Sequence, residues 1–239
     1  MQKSTTAATS PSIATSTSTF AATAGPVTAV LDIPAGRVLV TAAEQSVVTV
    51  EVKPADASKA RDVRAAAQTT AVFTDGVLRV ETPVKNQYFG ASGALEVSVQ
   101  LPAGSGIVAK AGAAEFRTAG PLGDVTFDGA HGTVHIDEAA TLRLNVHAGD
   151  VRVGRLVGDG VITVSAGDIH IDEAARGAVT LHTGYGAITV GAAHGASATL
   201  DAGTSYGRVS NALSNTEGAA AALNIHATTA YGDITARSL

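Results

Sequence analysis

The sequence predicts an all-β protein built largely as a right-handed β-solenoid, and three observations favour this fold. Charged residues make up only 15% of the 239 residues and Gly is frequent at 26, a composition that suits short strands and tight turns. The hexapeptide HIDEAA occurs twice, at His135–Ala140 and His170–Ala175. Around these copies, a Gly is repeatedly followed by alternating apolar and polar residues. Internal repeats of this kind are typical of solenoids.

The repeat unit contains two short strands that meet at a Gly. The spacing of the Gly residues is 17 to 19 residues in the most regular part of the chain, which predicts coils of about 18 residues. A unit this short cannot bury its own apolar face, so its coils must stack about 4.8 Å apart. We therefore predict a β-solenoid over residues 105–239. Its corner glycines include Gly132, Gly149, Gly167 and Gly186.

The part of the chain before the repeats is less regular. Residues 26–104 contain several strand-like runs and a hairpin signal at Thr74-Asp75-Gly76, which predict an antiparallel β cap or meander that seals the first coil. One short helix is expected near residues 55–67, where Ala and Arg dominate. Residues 1–25 are rich in Ser, Thr and Ala, and we expect them to form a flexible N-terminus or an edge strand.

The C-terminal end is expected to follow the chain order of the repeats. In that arrangement the last coil presents an unpaired edge that only Arg237 protects, so self-association through this end is one expectation. The segment Asn211–Ala220 should bulge from the last but one coil as a loop.

The two HIDEAA copies place Glu138 and Glu173 two coils apart, at a distance that would suit an inverting glycosidase. Arg155 occupies the same position in the coil between them, so we interpret the three residues as a charge-compensated outer ladder. A second outward column contains His135, Arg152 and His170. The intervening Arg would repel a cation, and we predict no metal site there.

An Asp follows the corner Gly in four places, and we expect these carboxylates to accept backbone N–H groups at turns rather than to bind calcium. They are Asp124, Asp150, Asp168 and Asp233.

Tyrosine gives the strongest indication of a binding surface. Tyr185, Tyr206 and Tyr231 each precede a corner Gly, and they should stack along one edge of the last three coils. Such a stack either fills wide corners by packing on itself or forms a ridge that binds a protein or a flat, sugar-like ligand. The sequence leaves both interpretations open.

Other features limit the function classes. The chain carries none of the common hydrolase, metalloprotease or nucleotide-binding motifs and no Cys, so we expect neither an enzyme nor a cofactor. The net charge of −5 does not indicate the basic surface that nucleic-acid binding needs. No apolar run has the length of a membrane span. A cytoplasmic location is expected, the alternative being the cell surface or secretion.

Several runs of the sequence resemble a bacterial family of adhesin-like β-strand-repeat proteins, known as a domain of unknown function. These runs include VSVQLPAGS, GPLGDVTFDGAHG, LDAGTSYGRVSNAL and LNIHATTAYGDITARSL. The resemblance implies a repeated β architecture and no catalytic residue. We expect a non-enzymatic scaffold that binds a protein partner. The alternatives are a surface adhesin for glycan or envelope material and a carbohydrate-active β-helix enzyme.

Overall fold

A computed structural model describes residues 16–21, 25–83 and 93–239, and within these ranges the chain is all-β apart from one α-helix and one short 3-10 turn. No helix in the described ranges has the length and apolar character needed to cross a bilayer. The elements are β1 (Ser16–Ala21), β2 (Thr28–Ala43), β3 (Val47–Pro54), α1 (Ala60–Gln68), β4 (Thr70–Thr74), β5 (Val77–Glu81), β6 (Leu95–Pro102), β7 (Gly106–Ala119), β8 (Pro121–His131), β9 (Val134–Ala148), β10 (Val151–Leu156), β11 (Gly160–Ala166), β12 (Ile169–Ala174), β13 (Gly177–Tyr185), β14 (Ile188–Ala192), β15 (Ala198–Tyr206), β16 (Val209–Ala212), β17 (Leu223–Tyr231) and β18 (Ile234–Ser238).

The strands stack in parallel, so that one long sheet winds around a continuous apolar core. Val151 of β10 pairs with Val134 on one side and with Ile169 on the other, and Ile169 pairs with Ile188 of β14. These inward residues are buried, as the period-two pattern of the sequence predicted. The predicted all-β, solenoid-like stack is therefore confirmed in its coarse form.

The N-terminal part differs from a purely antiparallel cap. Strand β2 runs parallel to β5, β6 and β7, whereas the β3–β6, β4–β5 and β1–β3 pairs are antiparallel. The long β2–β7 register, from Thr28 against Gly106 to Thr41 against Ala119, carries the coil architecture back past residue 105. The reason is that β2 alternates buried and exposed residues like the later repeats, so it can form a full coil layer.

The described start of the chain takes one of the two arrangements expected for it, whereas the helix begins later than expected. Of the Ser/Thr-rich N-terminus, Ser16–Ala21 forms an edge strand on β3, and residues 1–15 and 22–24 lie outside the described ranges. The helix begins at Ala60 rather than near 55 because Asp56 forms a turn, in which its carboxylate accepts the backbone N–H and the hydroxyl of Ser58. Buried Asp62 then fixes the helix to the sheet by accepting the N–H of Ala94.

The last two coils do not follow chain order. Strands β13 and β14 pair with β17 and β18, and the earlier strands β15 and β16 pair with β17 and β18 from the outside. The C-terminal coil is therefore an inner layer. The outermost coil is the one formed by residues 198–212, so the unpaired edge lies there rather than beside Arg237.

The segment Asn211–Ala220 is accordingly not a loop that bulges from an inner coil. Its first two residues end β16, and the rest belongs to a connector that returns the chain from the outermost coil to the inner position. Ser197, itself buried, holds this connector: its hydroxyl oxygen accepts the N–H groups of Thr216 and Glu217 and donates to the Asn215 side-chain oxygen at 3.1 Å.

Candidate binding surface

Three tyrosine rings stack along one corner of the solenoid, and we call them the tyrosine edge: Tyr185, Tyr231 and Tyr206, in spatial order. The ring centroids of Tyr185 and Tyr231 are 5.0 Å apart with an interplanar angle of 3°, and those of Tyr231 and Tyr206 are 4.8 Å apart at 6°. The sequence predicted this stack, but it placed Tyr206 in the middle. Tyr185 is 63% exposed, Tyr231 46% and Tyr206 66%. The rings therefore present a contiguous aromatic surface to solvent.

Corner glycines set the position of the rings. A Cβ added at Gly186 would lie 2.1 Å from the Gly167 carbonyl oxygen, and one at Gly232 would lie 2.0 Å from the Gly186 carbonyl oxygen. Both glycines also have a positive φ, of 154° and 147°. Only glycine allows the backbone of successive coils to approach this closely, so the residue before each glycine is held at the spacing of the coils.

Three of the four aspartates after the corner glycines accept backbone N–H groups of the neighbouring coil, as predicted, whereas the Asp124 carboxylate accepts the hydroxyl of Thr141 at 2.7 Å. The Asp150 carboxylate accepts the backbone N–H of Asp168 at 2.9 Å, and the Asp168 carboxylate accepts that of Ala187 at 2.7 Å. In the outer coils the Asp233 carboxylate accepts the N–H of Arg208 at 2.8 Å. The turn on which each tyrosine stands is thus tied to the neighbouring coil by a charge-assisted hydrogen bond.

Threonines beneath the tyrosines were missed by the sequence reasoning. Each tyrosine belongs to a T-x-Y-G sequence, and the hydroxyls of Thr183, Thr229 and Thr204 donate to a corner-glycine carbonyl of the adjacent coil at 2.9 to 3.0 Å. The two earlier coils have V-x-A-G at the same position. Between these two coils and the three later ones, Val is replaced by Thr and Ala by Tyr. This joint replacement is the sequence signal that could have identified the threonines.

The corner itself does not require an aromatic residue. In strand register, Tyr185 lies beside Ala166, and Ala166 lies beside Ala148. These alanines precede corner glycines whose added Cβ would meet the same close carbonyl contact, 2.0 Å at Gly149 and 2.2 Å at Gly167. The fold therefore builds this corner equally well with alanine, and the tyrosines add an exposed surface to it.

The outward charges form the ladders that the sequence predicted. Arg155 lies between Glu138 and Glu173 in register, and its guanidinium is 3.5 Å from the Glu173 carboxylate. His135, Arg152 and His170 likewise occupy consecutive coils. The described residues contain no group of three or more potential metal ligands.

Asp172 links Arg152 and His170, two members of the second ladder. Its carboxylate accepts a hydrogen bond from His170 at 2.6 Å and from two nitrogens of Arg152 at 2.9 and 3.1 Å. Burial raises the pKa of Asp172, but the hydrogen bonds from His170 and Arg152 and their charges outweigh it, so that the pKa lies below its ordinary value of 3.8. The carboxylate stays ionised and the ladder stays charge-compensated.

Replacing Asp172 by Asn should remove part of the acid sensitivity of the fold. Because the folded-state pKa is lowered, the carboxylate stabilises the protein above its unfolded-state pKa, and this contribution is lost as the pH falls through the folded value. The residue is partly exposed, so we expect an effect below about 1 kcal/mol. Urea unfolding between pH 3 and pH 6 measures it, with Asp75→Asn in the β4–β5 turn as a control of equal charge change. Identical pH profiles for Asp172→Asn and the wild type would contradict the assignment.

Comparison with known proteins identifies the architecture. The family model described as Toastrack DUF4097 matches residues 97–237. Among solved structures, the chain is similar to a "putative adhesin" from Bacteroides fragilis, with 14% identity, a TM-score of 0.52, and coverage of 95% of this chain and 98% of that one. It is also similar to a "putative cell adhesion protein" from Clostridium sporogenes, with 12% identity, a TM-score of 0.37, and coverage of 94% and 100%.

No curated protein matches the chain. The likeness to the Bacteroides fragilis structure, at this level of identity, concerns the fold. The family match covers more than half of the sequence and includes the tyrosine edge and the charge ladders. The chain belongs to the Toastrack DUF4097 family, a domain of unknown function, which confirms the resemblance seen in its sequence.

Proposed function

We propose that this protein is a non-enzymatic interaction scaffold, a right-handed β-solenoid with coils of about 18 residues, and that the tyrosine edge is its contact surface. The observation that carries the proposal is the exposed stack of Tyr185, Tyr231 and Tyr206 on a corner that is built elsewhere with alanine. Exposure of large aromatic side chains to water is unfavourable in free energy, and such side chains are enriched where proteins bind partners.

The tyrosine edge suits a partner that offers a flat or apolar surface. The rings are held in fixed positions by the corner backbone and by their neighbours, so little side-chain entropy is lost on binding. Arg208 and Asp233 are exposed, stand two residues after Tyr206 and Tyr231, and would offer polar contacts at the rim. This combination of a rigid aromatic centre and a polar rim is typical of protein–protein contact sites.

Crosslinking in cells tests the proposal. Tagged wild type is compared with the triple variant Tyr185→Ala, Tyr206→Ala and Tyr231→Ala, and captured proteins are identified by mass spectrometry. Because alanine occupies the same corner position in earlier coils, the variant should fold, and we expect it to lose at least one partner that the wild type captures.

The matched control replaces three other exposed apolar residues, Leu39, Val72 and Val108, by Ala. It should capture the same proteins as the wild type. Recovery of the same proteins from the tyrosine variant and the wild type would overturn the assignment of the tyrosine edge as a contact surface.

A second candidate function is that of a surface adhesin for glycan or envelope material. It is favoured by the structural neighbour from Bacteroides fragilis, which is described as a "putative adhesin". The same tyrosine rings would then stack on sugar rings. This function requires a location at the cell surface, so surface labelling of intact cells separates it from a cytoplasmic scaffold, and binding to a glycan array that is lost in the tyrosine variant would support it.

We do not propose a carbohydrate-active enzyme, a cofactor or a nucleic-acid partner. Glu138 and Glu173, the carboxylates that could form a hydrolase pair, flank Arg155 on an outward ladder. The Arg155 guanidinium lies between the two carboxylates, in the space where an inverting hydrolase pair must admit the scissile bond and the attacking water. The net charge of −5 weighs against a polyanionic partner.

A further inference from the structure

We propose that the outermost coil is a homodimer interface, in which β15 pairs antiparallel with β15 of a second copy of this chain. Among the described residues, β15 pairs only with β17, so its other edge has free backbone groups. The same coil leaves Val209 45% exposed at a position that is buried in the inner coils. An unpaired edge with apolar residues beside it is a template for strand addition.

This edge lacks the usual protection against pairing. Residues 198–212 contain neither Lys nor Pro, and their charged side chains are one acid, Asp201, and one base, Arg208. Edge strands that stay solitary are commonly blunted by Lys, Pro or a bulge. A coil with one charge of each sign has no net charge to keep two copies apart, which favours a second copy as the occupant.

The backbone directions fix which residues can pair. Leu223 of β17 donates its N–H to the Ser197 carbonyl, whereas Ala198 donates its own N–H away from β17, to Ser214. Alternate residues of a strand direct their backbone N–H and C=O groups to opposite sides. The backbone groups of Leu200, Ala202 and Thr204 therefore face the free edge. A twofold pairing would join these residues through about six backbone hydrogen bonds.

One pairing register joins the residues that face the free edge and also keeps like charges from lying opposite each other. With Ala202 opposite its own copy, Leu200 lies opposite Thr204, so that all three residues whose backbone groups face the free edge are paired. Asp201 then lies opposite Gly203, at which an added side chain would meet open space. A register shifted to centre on Asp201 would place like charges directly opposite each other, which is destabilising. Twofold symmetric pairs of this kind are the commonest oligomers of soluble proteins.

The dimer is tested on the full chain by sedimentation and light scattering over a range of concentrations. We expect the wild type to form a dimer and Ala202→Pro to be monomeric, because the lost N–H faces the free edge and not β17. The matched control is Val72→Lys, at the opposite end of the stack, where Val72 is 54% exposed; it should remain dimeric. A wild type that is monomeric at every concentration would overturn the proposal, as would a dimer lost only in Val72→Lys.

A second measurement does not depend on the proline variant folding. The chain has no Cys, so a single introduced thiol reports on its own position. In the proposed register the two copies of residue 202 have Cα atoms about 5.5 Å apart, within the range that a disulfide spans. Ala202→Cys should therefore form a covalent dimer on oxidation, whereas Val72→Cys should not. The outcome is independent of the tyrosine-edge pull-down, so failure of either proposal can be recognised separately.

Discussion

Gly232→Ala should destabilise the protein by about 3 kcal/mol or more, one of the largest effects that we expect from a single methyl group in this chain. The added Cβ would lie 2.0 Å from the carbonyl oxygen of Gly186, and the backbone at residue 232 has a φ of 147° that side chains rarely adopt. The contact is with backbone, which cannot move without disturbing the neighbouring coil. Urea unfolding followed by far-UV circular dichroism measures the loss.

Gly203→Ala is the matched control for this substitution. Gly203 lies in the outermost coil, an added Cβ there meets nothing within 4 Å, and its φ is not positive. We expect a change within about 0.5 kcal/mol. Equal stability losses at both glycines would show that the corner contact is not what makes Gly232 necessary.

Truncation after Ala221 should unfold much more than the 18 residues it removes. Strands β17 and β18 lie between β13/β14 and β15/β16, so their loss leaves the outermost coil without a partner. It also uncovers one face of the core by removing buried Leu223, Ile225 and Ile234. We expect a loss above about 5 kcal/mol, enough to unfold an average domain.

The control for the truncation is an internal deletion of the outermost coil. Residues 193–222 are replaced by Ala-Arg, the two residues that join β12 to β13, so that β14 continues directly into β17. This variant should fold, because an inner coil then simply becomes the last one. If the coils were stacked in chain order, the truncation would be the mild change, and a folded truncated protein would contradict the observed order. Hydrogen exchange on the wild type gives a second test, with slower exchange expected in β17 than in β15.

The repeats could be predicted from sequence because their physics is local. Alternation of apolar and polar residues, as in Val134 to Ile136 and Ile169 to Ile171, determines which side chains face inward whatever the partner strand is. The corner glycines and the aspartates after them are likewise read from a single coil. The stack of tyrosines followed from the same register, and so did the ladder of Glu138, Arg155 and Glu173.

Several features depended on contacts between distant segments. The parallel pairing of β2 with β7 joins residues 78 positions apart, and no local signal distinguishes it from an antiparallel meander. The helix began later than expected because Asp56 satisfied the backbone of Ser58 in a turn, a competition between side chain and helix that composition does not resolve. The role of the T-x-Y-G threonines needed the adjacent coil, whose glycine carbonyl accepts their hydrogen bond.

The sequence by itself determined the unit: a short coil of two strands with an apolar inner face, a glycine corner and a tyrosine at the corner of the last three copies. Only the tertiary structure decided the order of those copies. Asn211 stands at an inward position, in register with Ala236, and an inner coil would have to bury its amide without water. The least apolar coil therefore takes the outside, and the long connector after β16 allows the chain to return and place the more apolar β17 and β18 within.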